Sequence, residues 1–240
     1  MAQRFVIGMD FGTESARGIL IDVETGQAEA SHVHSYRHGV MTAALPNGRR
    51  LPHDWALQHA PDYLEAAEVL LDALGRGRDI AGIGIDFTAS SPLPTLADGT
   101  PLSTLHPEEP HAYVKIWKHH AAQPWADRIN AANPAFLELY GGKTSSEWVL
   151  AKAGQLVEEA PGLWDEAERF IEGGDWVVWQ LTGREVRSKC QAGYKSHYQE
   201  PEGYPADVVP GLAGKLRDPV PIGPPAGRLT EAGRRRTGIT

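Results

Sequence analysis

The chain has 240 residues, of which 41% are apolar and 22% charged, and its formal net charge is −8 at pH 7. This composition is typical of a folded α/β protein with one large core or two small ones, and it excludes a disordered chain. The acidic balance argues against a nucleic-acid-binding domain, which would carry a basic stripe. The single cysteine, Cys190, excludes an intrachain disulfide and indicates a reducing compartment.

The sequence also lacks the signals of membrane insertion and export. No segment approaches the ~20 consecutive apolar residues of a membrane span. Asp10 and Glu14 interrupt the apolar stretch that a signal peptide would need. We therefore expect a soluble, cytoplasmic protein with neither a membrane nor a nucleic acid as its partner.

The first two predicted elements form a β-hairpin. Residues 5 to 9 (FVIGM) and 18 to 23 (GILIDV) are apolar segments of strand length, and Gly12 would supply the positive φ that the bend needs. A strand that is apolar throughout is typical of a central strand buried on both faces.

The turn of this hairpin carries groups that could bind a phosphate. It can present backbone N–H groups and the hydroxyls of Thr13 and Ser15 to a phosphate. Asp10 ends the buried strand, where a carboxylate is costly unless it meets a cation or donors. Asp10 could therefore hold a hydrated Mg²⁺. The alternative is an ordinary hairpin with polar turn residues.

The next segments predict a crossover unit. Weak alternation over residues 27 to 38 indicates a third antiparallel strand, and residues 60 to 75 place apolar side chains along one side of a helix. Residues 81 to 87 (AGIGIDF) form another apolar strand, which ends in Asp86. A strand, a helix and a second buried strand in this order are typical of a crossover connection.

The remaining elements are mostly helical. Residues 112 to 120 predict a strand that delivers Trp117, Lys118, His119 and His120 at its end. We expect helices over 124 to 139, 146 to 160 and 173 to 182, the last with Asp175 as its N-cap. From residue 199 the chain is dense in Pro and Gly and should be irregular, apart from a short helix over 230 to 236.

Small polar residues follow the strand over 81 to 87. GIDFTASSPLP places Thr88 and Ala89 at the carboxyl end of that strand, where open α/β sheets bind ligands. Short side chains with hydroxyl groups suit a polyol, since they leave room and offer both donors and acceptors. A Ser/Thr-rich turn before Pro92 is the alternative.

Two charged residues are further candidates for substrate contacts. Glu147 follows a Gly-rich turn, with Ser145 or Ser146 as the N-cap of the next helix. It could accept hydrogen bonds from substrate hydroxyls or only favour the helix N-terminus. Lys195, within QAGYKSHY, is a candidate cation facing a substrate, although surface lysines are common.

Several segments, in this order, resemble the N-terminal domain of the FGGY family of carbohydrate kinases. They are GMDFGTESARGILID, GIGIDFTASSPLP, VKIWKHHAAQPWADRIN, YGGKTSSEWVLAKAGQLVEEAP, FIEGGDWVVWQLTG and QAGYKSHY. They span nearly the whole chain, and the ordered set is specific although no single segment is decisive. WKHHAAQ and GGKTSSEW are most similar to the branch that acts on L-ribulose.

The resemblance implies an α/β fold of the ribonuclease H-like, actin-like ATPase type, with a mixed central sheet flanked by helices. It also implies the MgATP-dependent phosphorylation of a ketopentose, L-ribulose to L-ribulose 5-phosphate, in arabinose breakdown. The alternatives are another FGGY ketopentose kinase, such as one acting on D-ribulose, and a noncatalytic sugar- or nucleotide-binding module. An actin- or chaperone-like ATPase is disfavoured because WKHH and GYK match sugar kinases.

The resemblance also implies roles for individual residues, carried over by matched position. The residues that would face the phosphates and the metal are Asp10, Gly12, Thr13 and Ser15, with Arg17 supporting their turn. Asp10 would contact the metal through water. The residues that would line the sugar pocket are Thr88, Ala89, Glu147 and Lys195.

Members of the family are about twice as long as this chain, and the aspartate that acts as their general base lies beyond the position of Thr240. We therefore expect residues 1 to 240 to be the N-terminal sugar-binding domain, with 1 to 198 as its well-matched core. The second ATPase domain is absent, so the isolated chain should show no measurable kinase turnover. An apolar cleft face without its partner domain makes a homodimer plausible.

Overall fold

The computed structural model describes residues 3–239. The strands are β1 (Arg4–Phe11), β2 (Ser15–Asp22), β3 (Ala28–Ser35), β4 (Leu57–Gln58), β5 (Asp79–Phe87), β6 (Pro92–Thr95), β7 (Val114–Lys115) and β8 (Arg169–Glu172). The α-helices are α1 (Ala60–Gly75), α2 (Leu102–Leu105), α3 (Gln123–Ala132), α4 (Val149–Glu159), α5 (Pro161–Glu166), α6 (Gly173–Thr182), α7 (Lys189–Lys195) and α8 (Glu231–Thr237). None of the helices in this range is long and apolar enough to cross a bilayer.

A mixed four-stranded sheet of order β3-β2-β1-β5 forms the centre of the fold. The hairpin pairs β1 with β2, and β3 adds an antiparallel strand to β2. The chain then crosses over through α1 and returns as β5, parallel to β1. The predicted hairpin, third strand and crossover unit are therefore confirmed, and the carboxyl ends of β1 and β5 lie side by side.

One face of this sheet is buried against α1 and α6. Phe5, Ile7 and Met9 alternate into that core along β1. The helix α1 approaches β2 closely, since a Cβ on Gly18 would lie 2.6 Å from Leu74 Cδ1. Glycine at this position therefore allows the apolar side of α1 to reach the sheet.

The other face of the sheet is not buried to the same degree. Val6, Gly8 and Asp10 are half-buried, while Ile19 is 38% and Val33 60% exposed. Within the described residues 3–239, β1 is well buried on one face only, so the prediction that it is buried on both faces is wrong. The apolar residues of the less buried face are present, but no described element buries them as the helices bury the opposite face.

A second core lies among α3, α4, α5 and the two small sheets β4-β7 and β6-β8. Its large side chains include Tyr113, Trp164 and Phe170, all less than a tenth exposed. The β6-β8 pair carries Glu172 at its end and leads directly into α6. This pair therefore connects the second core to the turn that follows β5.

Two predicted elements are shorter in the structure than expected. The strand over 112 to 120 shrinks to β7, because its partner β4 has only two residues to pair with it. The helix over 124 to 139 ends at Ala132, since Asn133 adopts a left-handed conformation (φ 45°) and Pro134 follows. A 3₁₀ turn then covers Ala135–Tyr140.

Four local predictions also need correction. The helix expected over 146 to 160 begins at Val149 after an extended Trp148, so neither Ser145 nor Ser146 caps it and Glu147 precedes it. Asp175 lies inside the first turn of α6 and is not its N-cap. The φ of Gly12 lies outside the left-handed region. Glycine is favoured there because a Cβ would lie 3.3 Å from the carbonyl oxygen of Ser15.

The other predicted elements occur in the expected order along the chain. The helix over 173 to 182 is α6, and the terminal helix appears as α8. The segment from residue 199 is irregular, with only short 3₁₀ turns at Ala206–Val208 and Ala213–Lys215 before α8. The helix α7 and the pair β6-β8 were not predicted.

Candidate functional site

The turn between β1 and β2 is held by side chains from three distant segments. Tyr36 donates its hydroxyl to the Gly12 carbonyl at 3.1 Å. Gln58 donates Nε2 to the Thr13 carbonyl at 2.6 Å, and Trp117 donates Nε1 to Thr13 Oγ1 at 3.1 Å. The carbonyl oxygens that would repel a phosphate are therefore engaged by the protein, while the Thr13 hydroxyl keeps a proton to donate.

Two carboxylates and a guanidinium lie at the ends of the paired strands. Asp10 is opposite Arg17 on β2 and opposite Asp86 on β5. Asp10 Oδ2 lies 3.3 Å from Arg17 Nε, and the Asp10 side chain is 47% exposed. Together these three residues line an open depression of about 700 Å³ on the exposed face of the sheet. Half-exposed carboxylate oxygens are the donors that a hydrated Mg²⁺ prefers, so the residues present fit that ion.

The turn after β5 is tied to the end of β1. Thr88 donates both its backbone N–H (3.0 Å) and its hydroxyl (2.9 Å) to the carbonyl of Phe11. Ser91 donates its hydroxyl back to the Thr88 carbonyl at 2.7 Å. The structure therefore brings Thr88 and Ala89 next to the hairpin turn, as expected from the carboxyl ends of neighbouring parallel strands.

Two buried charged side chains also form hydrogen bonds with the turn after β5. Lys152 on α4 donates Nζ to the Ser90 carbonyl at 2.8 Å, and Glu172 at the end of β8 accepts the Ser91 N–H at 2.8 Å. Burial lowers the pKa of Lys152 and raises that of Glu172. Sequence reasoning missed both residues. The available signal was a lysine between Ala151 and Ala153 in an otherwise apolar helix segment.

Glu147 and Lys195, predicted separately, form an ion pair. Lys195 Nζ lies 2.7 Å from Glu147 Oε2, and the Lys195 side chain is only 13% exposed. The ammonium lies 5.8 Å from the ring centre of Trp148 and 5.5 Å from that of Tyr194. The pair thus offers an ammonium donor and a carboxylate acceptor, the combination that recognises neighbouring sugar hydroxyls.

This ion pair is electrostatically linked to the turn after β5. The ammonium of Lys195 contributes to lowering the pKa of Lys152, an effect secondary to burial, while the Glu147 carboxylate acts in the opposite direction. Since Lys152 holds the Ser90 carbonyl, the charges of the pair act within range of that turn. Lys152 is therefore linked to the turn after β5 by a hydrogen bond and to the Lys195–Glu147 pair by electrostatics.

The two histidines after β7 have structural partners. His119 is fully buried; its Nδ1 accepts the Ala56 N–H at 3.3 Å, which leaves Nε2–H to donate to Gln155 Oε1 at 2.8 Å. Burial lowers the pKa of His119, so it stays neutral. His120 bonds Ser146 Oγ at 3.2 Å. These contacts join the strand region to the segment that carries Glu147.

Comparison with known proteins relates the chain to sugar kinases. No family model matches it. It is 44% identical over a 251-residue alignment to a ribulokinase of Halalkalibacterium halodurans, which covers 95% of this chain and 45% of that protein. It is 45% identical over 249 residues to a ribulokinase of Mycolicibacterium smegmatis, covering 96% of this chain and 44% of that one. The chain spans about half the length of the curated relatives it matches.

Solved structures share the fold. A gluconate kinase from Lactobacillus acidophilus has a TM-score of 0.78 at 16% identity, with 100% of this chain and 46% of that chain covered. A ligand-bound xylulose kinase from the same species has a TM-score of 0.76 at 17% identity, with 99% and 46% covered. The mixed sheet with its helices is therefore the actin-like fold of these kinases. Taken with the sequence relatives, the chain belongs to the FGGY family of carbohydrate kinases and corresponds to the N-terminal half of its ribulokinases.

Proposed function

We propose that this chain is the sugar-binding half of a kinase that transfers the γ-phosphoryl group of ATP to L-ribulose, giving L-ribulose 5-phosphate. The observation that carries the proposal is the Lys195–Glu147 ion pair, at 2.7 Å, which is electrostatically linked to Lys152, the residue that holds the turn after β5. The names of the sequence relatives support this choice of substrate.

On the sugar side, each residue has a distinct task. Lys195 donates to an oxygen of the sugar, and Glu147 accepts from a neighbouring hydroxyl. Thr88 fixes the turn through its two bonds to Phe11, and the small side chain of Ala89 leaves room for the carbon chain of the sugar. Because both partners of the ion pair are pre-oriented, little side-chain entropy is lost when the sugar binds.

On the phosphate side, Thr13 and Ser15 present their hydroxyls to the phosphates. Gly12 faces the phosphates as part of the turn, which its N–H closes by donating to the Ser15 carbonyl at 3.0 Å. Asp10 holds Mg²⁺ through water, and Arg17 limits the negative charge beside it. When bound, the ion neutralises charge on the transferring phosphoryl group. The residues of this chain orient the phosphates toward the sugar side.

The remaining parts of the reaction belong to a partner domain. Phosphoryl transfer requires positioning and charge stabilisation from both sides of the nucleotide, and closure that excludes water. We assign the adenosine site and the general-base aspartate to the half of the relatives that this chain does not span. Residues 1 to 240 then act as the N-terminal sugar-binding domain of a cytoplasmic enzyme.

Calorimetry of the 240-residue chain with L-ribulose tests the sugar side. A hydrogen bond to a charged group is worth about 1.5–3 kcal/mol, so Lys195→Ala should weaken binding roughly 10- to 100-fold. Lys189→Ala is the matched control, because Lys189 lies on the same helix and pairs with Glu200. The control should bind as the wild type does.

Two outcomes decide against this assignment. Unchanged L-ribulose affinity in Lys195→Ala would remove Lys195 from the site. Tighter binding of D-ribulose than of L-ribulose in the same titration would move the proposal to the D-sugar alternative.

A further inference from the structure

A compact cluster of two histidines and an aspartate lies outside the site described above. His38 follows β3, His59 immediately precedes α1, and Asp62 lies in the first turn of that helix. One ligand atom from each lies within 4.8 Å of the other two. Across residues 3–239, no other three His, Cys, Asp or Glu side chains meet this criterion.

Two of the separations in the cluster are close to those of a coordination shell. Asp62 Oδ1 lies 2.9 Å from His38 Nδ1 and 3.5 Å from His59 Nδ1, and the two rings meet edge to face with centres 4.9 Å apart. Zinc bonds of about 2.0–2.1 Å place neighbouring tetrahedral ligands about 3.3 Å apart. Two imidazoles and a carboxylate are a common ligand set of Zn²⁺. The three side chains could therefore converge on one ion with small adjustments.

The cluster also contains a buried polar atom that lacks a hydrogen-bond partner among the described residues. His59 Nδ1 is buried and has no hydrogen-bond partner among residues 3–239, with Asp62 Oδ1 at 3.5 Å, beyond the usual hydrogen-bond length. Asp62 is only 4% exposed, and its second oxygen is fixed by the His38 backbone N–H at 2.8 Å. A buried, unsatisfied nitrogen is costly, and a cation would satisfy it. The His38 side chain, 29% exposed, leaves a path for the ion and for a water ligand.

We propose that His38, His59 and Asp62 form a binding site for a divalent transition metal, with Zn²⁺ as the ion that fits best. The neighbours of two ligands show what the ion would do. Tyr36 and Gln58, each within two residues of a ligand, donate to the carbonyls of the turn between β1 and β2. The ion would join these two segments and stiffen the frame of the phosphate turn, and it is separate from the Mg²⁺ assigned to Asp10.

Titration of the metal-free 240-residue chain with ZnCl₂ tests the site by calorimetry, with Co²⁺ absorption as a second readout. The wild type should bind one Zn²⁺ per chain and give the visible bands of four-coordinate Co²⁺. His38→Gln and His59→Gln should each weaken Zn²⁺ binding at least about tenfold and abolish those bands. Glutamine keeps a polar side chain at each position, which limits the risk of misfolding.

His53→Ala is the matched control. His53 Nδ1 lies 2.9 Å from Asp54 Oδ1, a similar histidine–aspartate pair on the surface. Within residues 3–239, this pair has no third ligand close enough to complete a metal site. The variant should therefore bind Zn²⁺ as the wild type does, and both should show a higher Tm when Zn²⁺ is added.

The proposal is overturned if the folded wild type binds no Zn²⁺ stoichiometrically. It is also overturned if folded His38→Gln and His59→Gln keep wild-type affinity, or if His53→Ala loses as much affinity as they do. Should a glutamine variant not fold by circular dichroism, the Tm readout on wild type and His53→Ala decides: no rise in either with Zn²⁺ contradicts the site.

Discussion

At the scale of single residues, buried charged side chains fix the backbone of the candidate site and its surroundings. Lys152 and Glu172 fix the turn after β5, and Asp175 on α6 accepts the Ser188 N–H at 3.0 Å. Isolated charges are costly in an apolar interior, so each of these groups needs a partner. Burial raises the pKa of Asp175 to about 7, against the opposing effect of Arg187.

The raised pKa of Asp175 predicts a specific pH dependence of stability. Because the folded-state pKa of about 7 exceeds the unfolded value of 3.8, the stability from its protonated form is complete below pH 3.8. This stability is lost as the pH rises through 7. Asp175→Asn keeps an oxygen for the Ser188 N–H and has no proton to lose.

Urea unfolding of wild type and Asp175→Asn between pH 5 and pH 8 measures this effect. As the pH rises from 5 to 8, the unfolding free energy of Asp175→Asn should increase relative to that of the wild type by on the order of 1–3 kcal/mol. A difference that stays constant over that range would show that Asp175 does not titrate as its burial requires.

Residue type and position along the chain were enough to predict that residues of two neighbouring strand ends lie together in the candidate site. Asp10 and Thr88 could be predicted because each follows an apolar strand whose carboxyl end faces ligands. The pairing of Glu147 with Lys195 could not, since 48 residues separate them and neither segment has a pattern that fixes their approach. Lys152 was missed because its role depends on the Ser90 carbonyl, which only the tertiary fold brings to it.

At the scale of elements, periodicity predicted α1 and the strands of the central sheet, but it did not predict α7 or β4 or the short length of β7. The helix α1 carries a regular apolar side over 16 residues, which its sequence displays. The helix α7 has seven residues, and β4 and β7 have two each. Helices this short are not stable alone, so tertiary contacts determine them.

The packing of α3 against α4 gives a prediction at this scale. A Cβ on Gly154 would lie 2.3 Å from Cε3 of Trp125, so Gly154→Ala must displace that ring. We expect a loss of roughly 1–3 kcal/mol in the free energy of unfolding. The measurement is chemical unfolding followed by tryptophan fluorescence.

Gly162→Ala in α5 is the control for this change. A Cβ on Gly162 meets nothing within 4 Å, and helix propensity favours alanine by up to about 1 kcal/mol. Equal stability of the two variants would mean that the contact between Trp125 and α4 does not constrain the helix pair.

At the scale of the whole molecule, the chain has one well-buried and one exposed face on its central sheet. The exposed face carries Asp10, Arg17 and Asp86 next to apolar Ile19 and Val33. Apolar surface of this kind typically marks an interface. A homodimer stays a prediction, and a second domain of the longer relatives is the partner that the proposed function requires.

A coupled assay of L-ribulose-dependent ADP release tests most directly whether this chain is the sugar-binding half of a kinase. It compares the 240-residue chain with a fusion of this chain to the remaining C-terminal part of the Halalkalibacterium halodurans ribulokinase, each with MgATP. We expect no turnover by the chain alone, turnover by the fusion, and loss of that turnover in the fusion with Lys195→Ala but not with Lys189→Ala. Robust turnover by the chain alone, or a fully active Lys195→Ala fusion, would contradict this assignment.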